Sequence, residues 1–231
     1  MDELGFRISS GALPPGHLVR VEDLEKEFGV SRSVVREAVR VLEFLGLLRS
    51  ARGVGVTVRE DRDWNALDPR VIGWRLAYEK TRATELHALA QLRYAIEPVA
   101  AEYMCAASTR RERAELLLCA EEMAAKADDI AAFTAQDVRF HSLILGGTRN
   151  HLFTALEPTF TTGLIGRSDY HLMPSTPDEK SIELHLGVAE AIFDGEGGRA
   201  AELLRILLKE VVERFAEADG WNAGSAPSDS A

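Results

Sequence analysis

The chain has 231 residues, 46% of them hydrophobic, and a formal net charge of −10, which allows one large domain or two modest ones. No apolar run is long enough to cross a bilayer, and Met1-Asp2-Glu3-Leu4 shows neither a basic nor an apolar leader region, so a cytoplasmic location without membrane partners is expected. Two cysteines, Cys105 and Cys119, fit neither a zinc-ligand spacing nor a disulfide framework and read as buried thiols.

Residues 1–10 predict a short first helix, and Gly11 to Gly16 with its two prolines predicts a turn. Val21 to Phe28 reads as a second short helix with Val21, Leu24, Glu25 and Phe28 on one side. Gly29-Val30-Ser31 makes a tight turn into a third helix, with Ser31 as its N-cap and Gly46 as its stop. In that third helix Val35, Val39, Leu42 and Leu45 form one apolar stripe, while Arg32, Arg36 and Arg40 recur every four residues on another face. By itself such an arginine face is usually only a solvated face. Here it follows a helix and a tight turn, and it precedes two β-prone runs, Leu47–Ser50 and Val54–Val58, that flank Ala51-Arg52-Gly53. Helix, turn, helix and hairpin is the winged helix-turn-helix order, which presents guanidinium groups to phosphates and to guanine edges.

The charge divides along the same line. Residues 1–60 hold nine basic and nine acidic side chains, so the rest of the chain carries the whole −10. Within 31–59 six arginines face two glutamates, a basic strip on a neutral domain that suits double-stranded DNA.

Residues 60–63 are a charged connector, and Asp68-Pro69 starts a helix, with Asp as cap and Pro in the first turn. Beyond it the pattern is helical throughout, with helices read at roughly 69–78, 83–106, 109–126, 129–146, 149–168, 178–194 and 197–218. The expected class is therefore mainly α: a winged helix-turn-helix with a two-stranded β wing over 1–60, a linker over 61–68, and an all-α bundle of six to seven helices over 69–218. The small, polar stretch 219–231 reads as a disordered tail.

The informative positions in the bundle are polar residues where the helical period demands apolar ones. Asp137 and His141 sit in the stripe Phe133, Asp137, Phe140, His141, Ile144. His185 interrupts Ile182, Ala189, Ile192 and Phe193, and Arg93 falls among Leu86, Ala90, Glu97 and Ala100. A buried charge must be paired or liganded, because desolvating it bare costs several kcal/mol. Arg93 could simply pair with Glu97 or Asp137, leaving both histidines as satisfied core residues. Four such residues on three helices instead fit a ligand site, and an Asp-x-x-x-His pair with a further His is an O/N donor set suited to zinc, nickel or manganese.

Two stretches resemble known families. Ile8-x-Ser10-Gly11-x-Leu13-x-Pro15-Gly16, Gly29-Val30-Ser31-Arg32-x-x-Val35-Arg36-Glu37-Ala38, Leu45-Gly46-Leu47-Leu48 and Arg52-Gly53-x-Gly55-x-x-Val58 resemble the GntR family of bacterial transcription regulators over roughly 7–60. The resemblance implies that Arg32, Ser33, Arg36 and Arg40 contact an operator, and that Arg52 and Gly53 in the wing reach an adjacent groove. One departure is Glu22, which stands where many members carry a basic residue. Asp137-x-x-Phe140-His141, then Asn150, then His185, are similar to the all-helical FCD effector domain of the FadR-type branch.

That second likeness implies a divalent ion held by Asp137, His141 and His185, with an effector carboxylate completing the coordination. The fourth ligand position falls on Leu207, so the set is one ligand short and the metal is in question. It also implies Arg93 as partner of the effector's carboxylate and brings in Asn150. Arg214, two turns beyond Leu207 on the same face, and His171 and Ser181, flanking the 172–177 loop, are further effector candidates. The segment Trp64 to Trp74 looks like that of sugar-acid regulators of the galactonate type. The expected function is a homodimeric, ligand-responsive regulator, most often a repressor, which binds an inverted repeat and responds to a small carboxylate, foremost a sugar acid. Two rivals are a metal-dependent hydrolytic enzyme and a metal-ion sensor. No general base stands beside the three ligands for the first, and Leu207 breaks the ligand set that the second needs.

Overall fold

The computed structural model describes residues 1–51, 55–170, 172 and 177–219, and the chain divides into two compact units, Met1–Arg82 and Ala83 onward. Among the described residues no helix is long and apolar enough to cross a membrane.

The first unit contains α1 (Asp2–Ser9), β1 (Leu18–Val19), α2 (Val21–Phe28), α3 (Arg32–Phe44), β2 (Leu48–Ala51), β3 (Gly55–Val58) and α4 (Pro69–Ala77), with a single 3₁₀ turn at Asp61–Asp63. Its core gathers Val35, Val39 and Leu42 of α3 with Leu45, Leu47 and Leu48 just beyond it, the last four being almost wholly buried. Each fully buried leucine contributes about 2 kcal/mol through removal of apolar surface from water. Ser31 is the first residue before α3, but its hydroxyl lies 2.9 Å from the Ser33 hydroxyl and makes no capping bond to the helix amides.

The far end of α3 is the more determined one. Leu47 N–H donates to Leu42 O at 2.9 Å and Gly46 N–H donates to Glu43 O at 3.0 Å, a Schellman closure whose two apolar members, Leu42 and Leu47, are fully buried. Gly46 has φ +81°, and a Cβ there would lie 2.3 Å from the Asp63 carbonyl oxygen, so no other residue fits.

The wing is an antiparallel sheet in the order β1-β3-β2, with Leu48 opposite Val58 and Ser50 opposite Val56. A third strand thus joins the expected two. Leu18 and Val19, opposite Thr57 and Val56, are too short a run to show the alternation that marks a strand in sequence. Val54 and the tip residues Arg52 and Gly53 lie outside the described residues. Phe28 of α2 is exposed, with the Arg7 guanidinium 5.4 Å above its ring.

The sequence reading opens the bundle at residue 69, whereas α4 packs on α1 in the first unit. Gly5 is the reason: the Trp74 ring lies where a Cβ would stand, 2.5 Å from its carbons, so a bare backbone admits the indole. Asp68 does cap α4, accepting from Arg70 N–H at 2.9 Å, with Pro69 in the first turn.

The second unit is the helical part of α5 (Glu79–Ala107) from Ala83, with α6 (Arg110–Ala125), α7 (Ile130–Gly147), α8 (His151–Thr154), α9 (Glu157–Asp169), α10 (Glu179–Asp194) and α11 (Gly197–Asp219). The caps are those expected from residue type: a Thr109–Glu112 capping box, Asp129 and Asp178 at helix starts, and left-handed Gly195 after α10. The single helix read over 149–168 is two, because Pro158 lacks the N–H a helix interior needs and so fixes the first turn of α9. Phe133, Phe140, Phe160, Met104, Leu116 and Met123 fill the core. Both cysteines are free and buried, and burial pushes the Cys119 thiol up to about 11. The stretch from 220 to the end, read as a tail, lies outside the described residues.

Replacing Gly46 with Ala combines left-handed strain with the Asp63 contact, a loss of about 3 kcal/mol. Thermal unfolding of the isolated 1–82 unit, or of its transition within the whole chain, should move down by more than about 10 °C. A shift below about 2 °C would remove Gly46 as the determinant of how α3 ends.

Candidate functional site

On α3 the apolar stripe faces inward and Arg32, Ser33, Arg36 and Arg40 are all exposed. Arg40 bonds to Glu37 one turn back, and Arg36 forms no ion pair among the described residues. Glu22 reaches across from α2, its Oε1 3.1 Å from Arg32 Nη2, and Glu25 Oε1 lies 3.9 Å from Arg32 Nε. A carboxylate therefore sits on the first arginine of the face that would meet phosphate. The pair is more than half exposed on both sides and is worth at most about 1 kcal/mol. DNA phosphate can displace it at little cost.

In the second unit four helices bring ionisable side chains out of water around a cavity of about 50 Å³. Arg93 and Glu97 come from α5, Asp137 and His141 from α7, Arg167 from α9, and His185 from α10. Arg93 Nε donates to Glu97 Oε1 at 2.6 Å, so the pairing that sequence allowed for Arg93 is made. Glu97 also holds His141, its Oε2 lying 2.6 Å from Nδ1. On the other ring, His185 Nδ1 lies 2.6 Å from the Ser181 carbonyl oxygen. A carbonyl can only accept, which puts a ring proton on His185 Nδ1, while the short His141 Nδ1–Glu97 contact is not an aligned hydrogen bond. Phe140 meets both imidazoles edge-on, with centroids 5.3 and 5.1 Å away, and fixes their planes.

With the proton on Nδ1 alone, as a metal ligand requires, both Nε2 lone pairs would point at one oxygen. His141 Nε2 lies 3.3 Å and His185 Nε2 3.2 Å from Asp137 Oδ1. Three electron-pair donors converge within 4.8 Å, and neither Asp137 Oδ1 nor His185 Nε2 has an aligned hydrogen bond. Acceptors arranged this way call for a cation among them. The donor set, with each imidazole's far nitrogen held by an oxygen, fits a divalent ion of the zinc, nickel or manganese type. Leu207 of α11 lines the same cavity and gives it no fourth donor.

Asp137's other oxygen, Oδ2, accepts from Arg167 Nη2. Burial pushes the Asp137 carboxyl upward, but the Arg167 charge and the two imidazoles outweigh it and hold the group well below the ordinary carboxylate range. Glu97 is likewise raised by burial yet drawn down to about 2 by Arg93 and His141. Burial and the neighbouring Arg93 pull the Arg167 guanidinium below its ordinary value, against the attraction of Asp137. Among the described residues Arg93 Nη2 and Arg167 Nε are buried without hydrogen-bond partners, as donors available to an anion.

The structure thus brings together Arg93, Asp137, His141, Ser181, His185 and Arg214, which all line the cavity. Asn150 is not among its lining residues. It caps α8, accepting from Leu152 N–H at 3.0 Å, and this local bond is why an asparagine stands there. His171 lies outside the described residues. Arg167 went unnoticed in the sequence, although Phe160, Leu164 and Arg167 fall at spacings of four and three on one face.

A winged helix-turn-helix unit followed by an all-helical unit with a charged cavity is the organisation of a transcription regulator. Comparison with known proteins agrees: residues 1–58 match the "Bacterial regulatory proteins, gntR family" model, and residues 88–210 match the "FCD domain" model. The chain belongs to the GntR family, in the branch whose second domain is FCD. It is 27% identical over 221 residues to the galactonate operon transcriptional repressor of Escherichia coli, spanning 93% of this chain and 94% of that one. It is also 27% identical over 214 residues to the uncharacterized HTH-type transcriptional regulator YieP of Escherichia coli, with 90% of each chain covered. Among solved structures, a Streptococcus agalactiae GntR protein shares the fold with a TM-score of 0.51 at 21% identity, over 92% of this chain and all of that one. The domains and relatives are those of transcription regulators, not enzymes, and the hydrolase reading falls with that.

Arg36 is the exposed arginine on α3 without an ion pair among the described residues, so Arg36→Ala should weaken operator binding ten- to a hundredfold. Its melting temperature should stay within about 2 °C of the parent. Fluorescence anisotropy with a selected operator duplex measures the first, and equal affinities would reject α3 as the reading helix. For the cavity, Leu207→His supplies the absent fourth donor, and calorimetry should show zinc binding at least about tenfold tighter. No gain would mean that α11 does not face the three ligands as described.

Proposed function

We propose that the protein is a repressor that grips an inverted-repeat operator as a homodimer through α3 and the wing, and releases it when a small carboxylate enters the second unit's cavity. The observation that carries this reading is the set of unpartnered polar atoms around that cavity. Arg93 Nη2 and Arg167 Nε offer N–H groups, and Asp137 Oδ1 and His185 Nε2 offer lone pairs, all of them buried. A helix bundle gains no stability from such atoms, since apolar residues of like volume would serve it as well or better. They are accounted for by something that enters.

In this reading Arg93 takes the carboxylate, with Arg214 and Ser181 at the cavity wall to meet hydroxyl or further acidic groups. Asp137, His141 and His185 are the residues that would hold a divalent ion, three donors with Leu207 in the fourth position. The dimer follows from the family's habit of reading two half-sites with two winged helices. A sugar acid is the leading effector class, because a repressor of a galactonate operon aligns with nearly the full chain. A second reading, a shorter hydroxy acid of three or four carbons, is favoured by the cavity volume of about 50 Å³, room for only a few water-sized groups. Whichever enters must bind the DNA-competent and DNA-incompetent forms with different affinity, and a coupling of about 1–3 kcal/mol gives a 5- to 150-fold effect.

The test uses Arg93→Lys rather than alanine, because removing the whole side chain would strand Glu97 as a buried charge at a cost of about 3–5 kcal/mol. D-galactonate and L-lactate are each added to protein bound to operator DNA, with and without chelator, and release and melting temperature are read. Parent protein should melt higher with one of them and release DNA. Arg93→Lys should bind DNA normally yet lose at least about tenfold in effector response. If Arg93→Lys responds like the parent, the effector site assigned here is wrong.

A further inference from the structure

The fold of the second unit sets a charge balance that the metal ligands alone do not reveal. Arg93 and Glu97 pair, and Arg167 and Asp137 pair, all four side chains being nearly withdrawn from solvent. These four charges sum to zero before any ion arrives. A dication at the Asp137–His141–His185 junction therefore enters a neutral site, and enters it beside a fixed guanidinium on the very carboxylate that should bind it. Like charges a few ångströms apart in a dry interior repel strongly. Arg167 lines the same cavity and reaches Asp137 from α9, so the repulsion acts at the carboxylate itself.

We propose that Arg167 acts as a built-in cation that satisfies Asp137 in place of a metal ion, so that it keeps this cavity's affinity for divalent ions low. The absent donor at Leu207 and the guanidinium on Asp137 Oδ2 then work in the same direction. The first removes an attraction for the ion and the second adds a repulsion. Arg167 is in this sense a specificity-determining residue, moving the pocket from ion binding toward anion binding. The inference builds on the ligand-pocket reading above, but it concerns the ion alone.

Zinc is the probe, added to full-length protein without effector or DNA, with affinity read by competition against a chromogenic chelator and stability read by thermal melting. Arg167→Gln keeps most of the side chain's volume and removes its charge. It should bind zinc at least tenfold tighter than the parent. It should melt lower than the parent without zinc, and zinc should raise its melting temperature more than it raises the parent's. Arg167→Lys keeps the charge and should stay within about threefold of the parent's zinc affinity. In the Asp137→Asn/Arg167→Gln double variant the gain should vanish, which places the effect at this carboxylate. Equal or weaker zinc binding by Arg167→Gln overturns the proposal, as does an equal gain in Arg167→Lys. If Arg167→Gln folds only when zinc is present, the ion has replaced the guanidinium and the proposal stands; if zinc does not restore the fold, it falls. None of these readouts involves the effector, so a negative result here leaves the carboxylate reading of the pocket intact.

Discussion

Two guanidiniums and two carboxylates held out of water by three helices are the constraint on which the second unit depends. Removing one partner from a buried pair costs about 3–5 kcal/mol, a large part of a domain's stability of about 5–15 kcal/mol. Arg93 and Glu97 are on one helix and keep their pairing by helical repeat alone. Asp137 and Arg167 are on different helices, as are Glu97 and His141, so α5, α7 and α9 cannot slide past one another without breaking both. His185 adds α10 to the same knot through its contact with Asp137. The aromatic core around Phe133, Phe140 and Phe160 supplies the bulk of the binding between helices, but apolar contacts tolerate small shifts. The charged cluster does not. It selects one registry of the bundle, and its geometry is that of the cavity.

The same physics explains what could be seen in the chain before its fold was known. Asp137, His141 and His185 were legible because each breaks an apolar stripe whose other members are unambiguous, and the helical period alone then turns them inward. Arg93 was legible for the same reason. Arg167 obeys the same rule with Phe160 and Leu164, but its stripe is short. The break between α8 and α9 resets the helical phase at Pro158, so a period counted from residue 149 does not carry through. Asn150 entered through the resemblance alone, and in the structure it caps α8 by a local bond from Leu152. In the first unit the winged helix was visible in stripes and turns, while the place of α4 was not. Its seat on α1 depends on the missing side chain of Gly5 beneath Trp74, and a missing side chain has no periodicity to read.

Charge on the first unit has to be read pair by pair rather than by sum. The excess of arginine over 31–59 makes α3 and the wing look uniformly attractive to a polyanion. Glu22 and Glu25 on Arg32, and Glu37 on Arg40, leave Arg36 as the arginine of the three without such a contact among the described residues. Exposed pairs of this kind exchange partners at a cost of under about 1 kcal/mol each, so they do not prevent binding to phosphate. They do subtract from it at every site alike, whereas an arginine that reaches a guanine edge gains only at the right sequence. Acidic neighbours on a reading helix thus weaken non-specific attachment more than specific attachment.

The two units solve opposite electrostatic problems with the same residue types. On α3 the pairs are wet, each worth little, and a large polyanion can replace them. In the bundle they are dry, and only a small charged group can enter, but each contact it makes is several times stronger in the low dielectric than it would be at the surface. A regulator needs that asymmetry. The coupling of about 1–3 kcal/mol that moves a DNA-binding equilibrium by one or two orders of magnitude must come from a ligand of a dozen or so atoms. Such a ligand can supply it only where the protein has already desolvated the groups that receive it. The unpartnered guanidinium nitrogens of Arg93 and Arg167 meet that requirement, because a carboxylate joining them loses its own water but asks the protein to give up none.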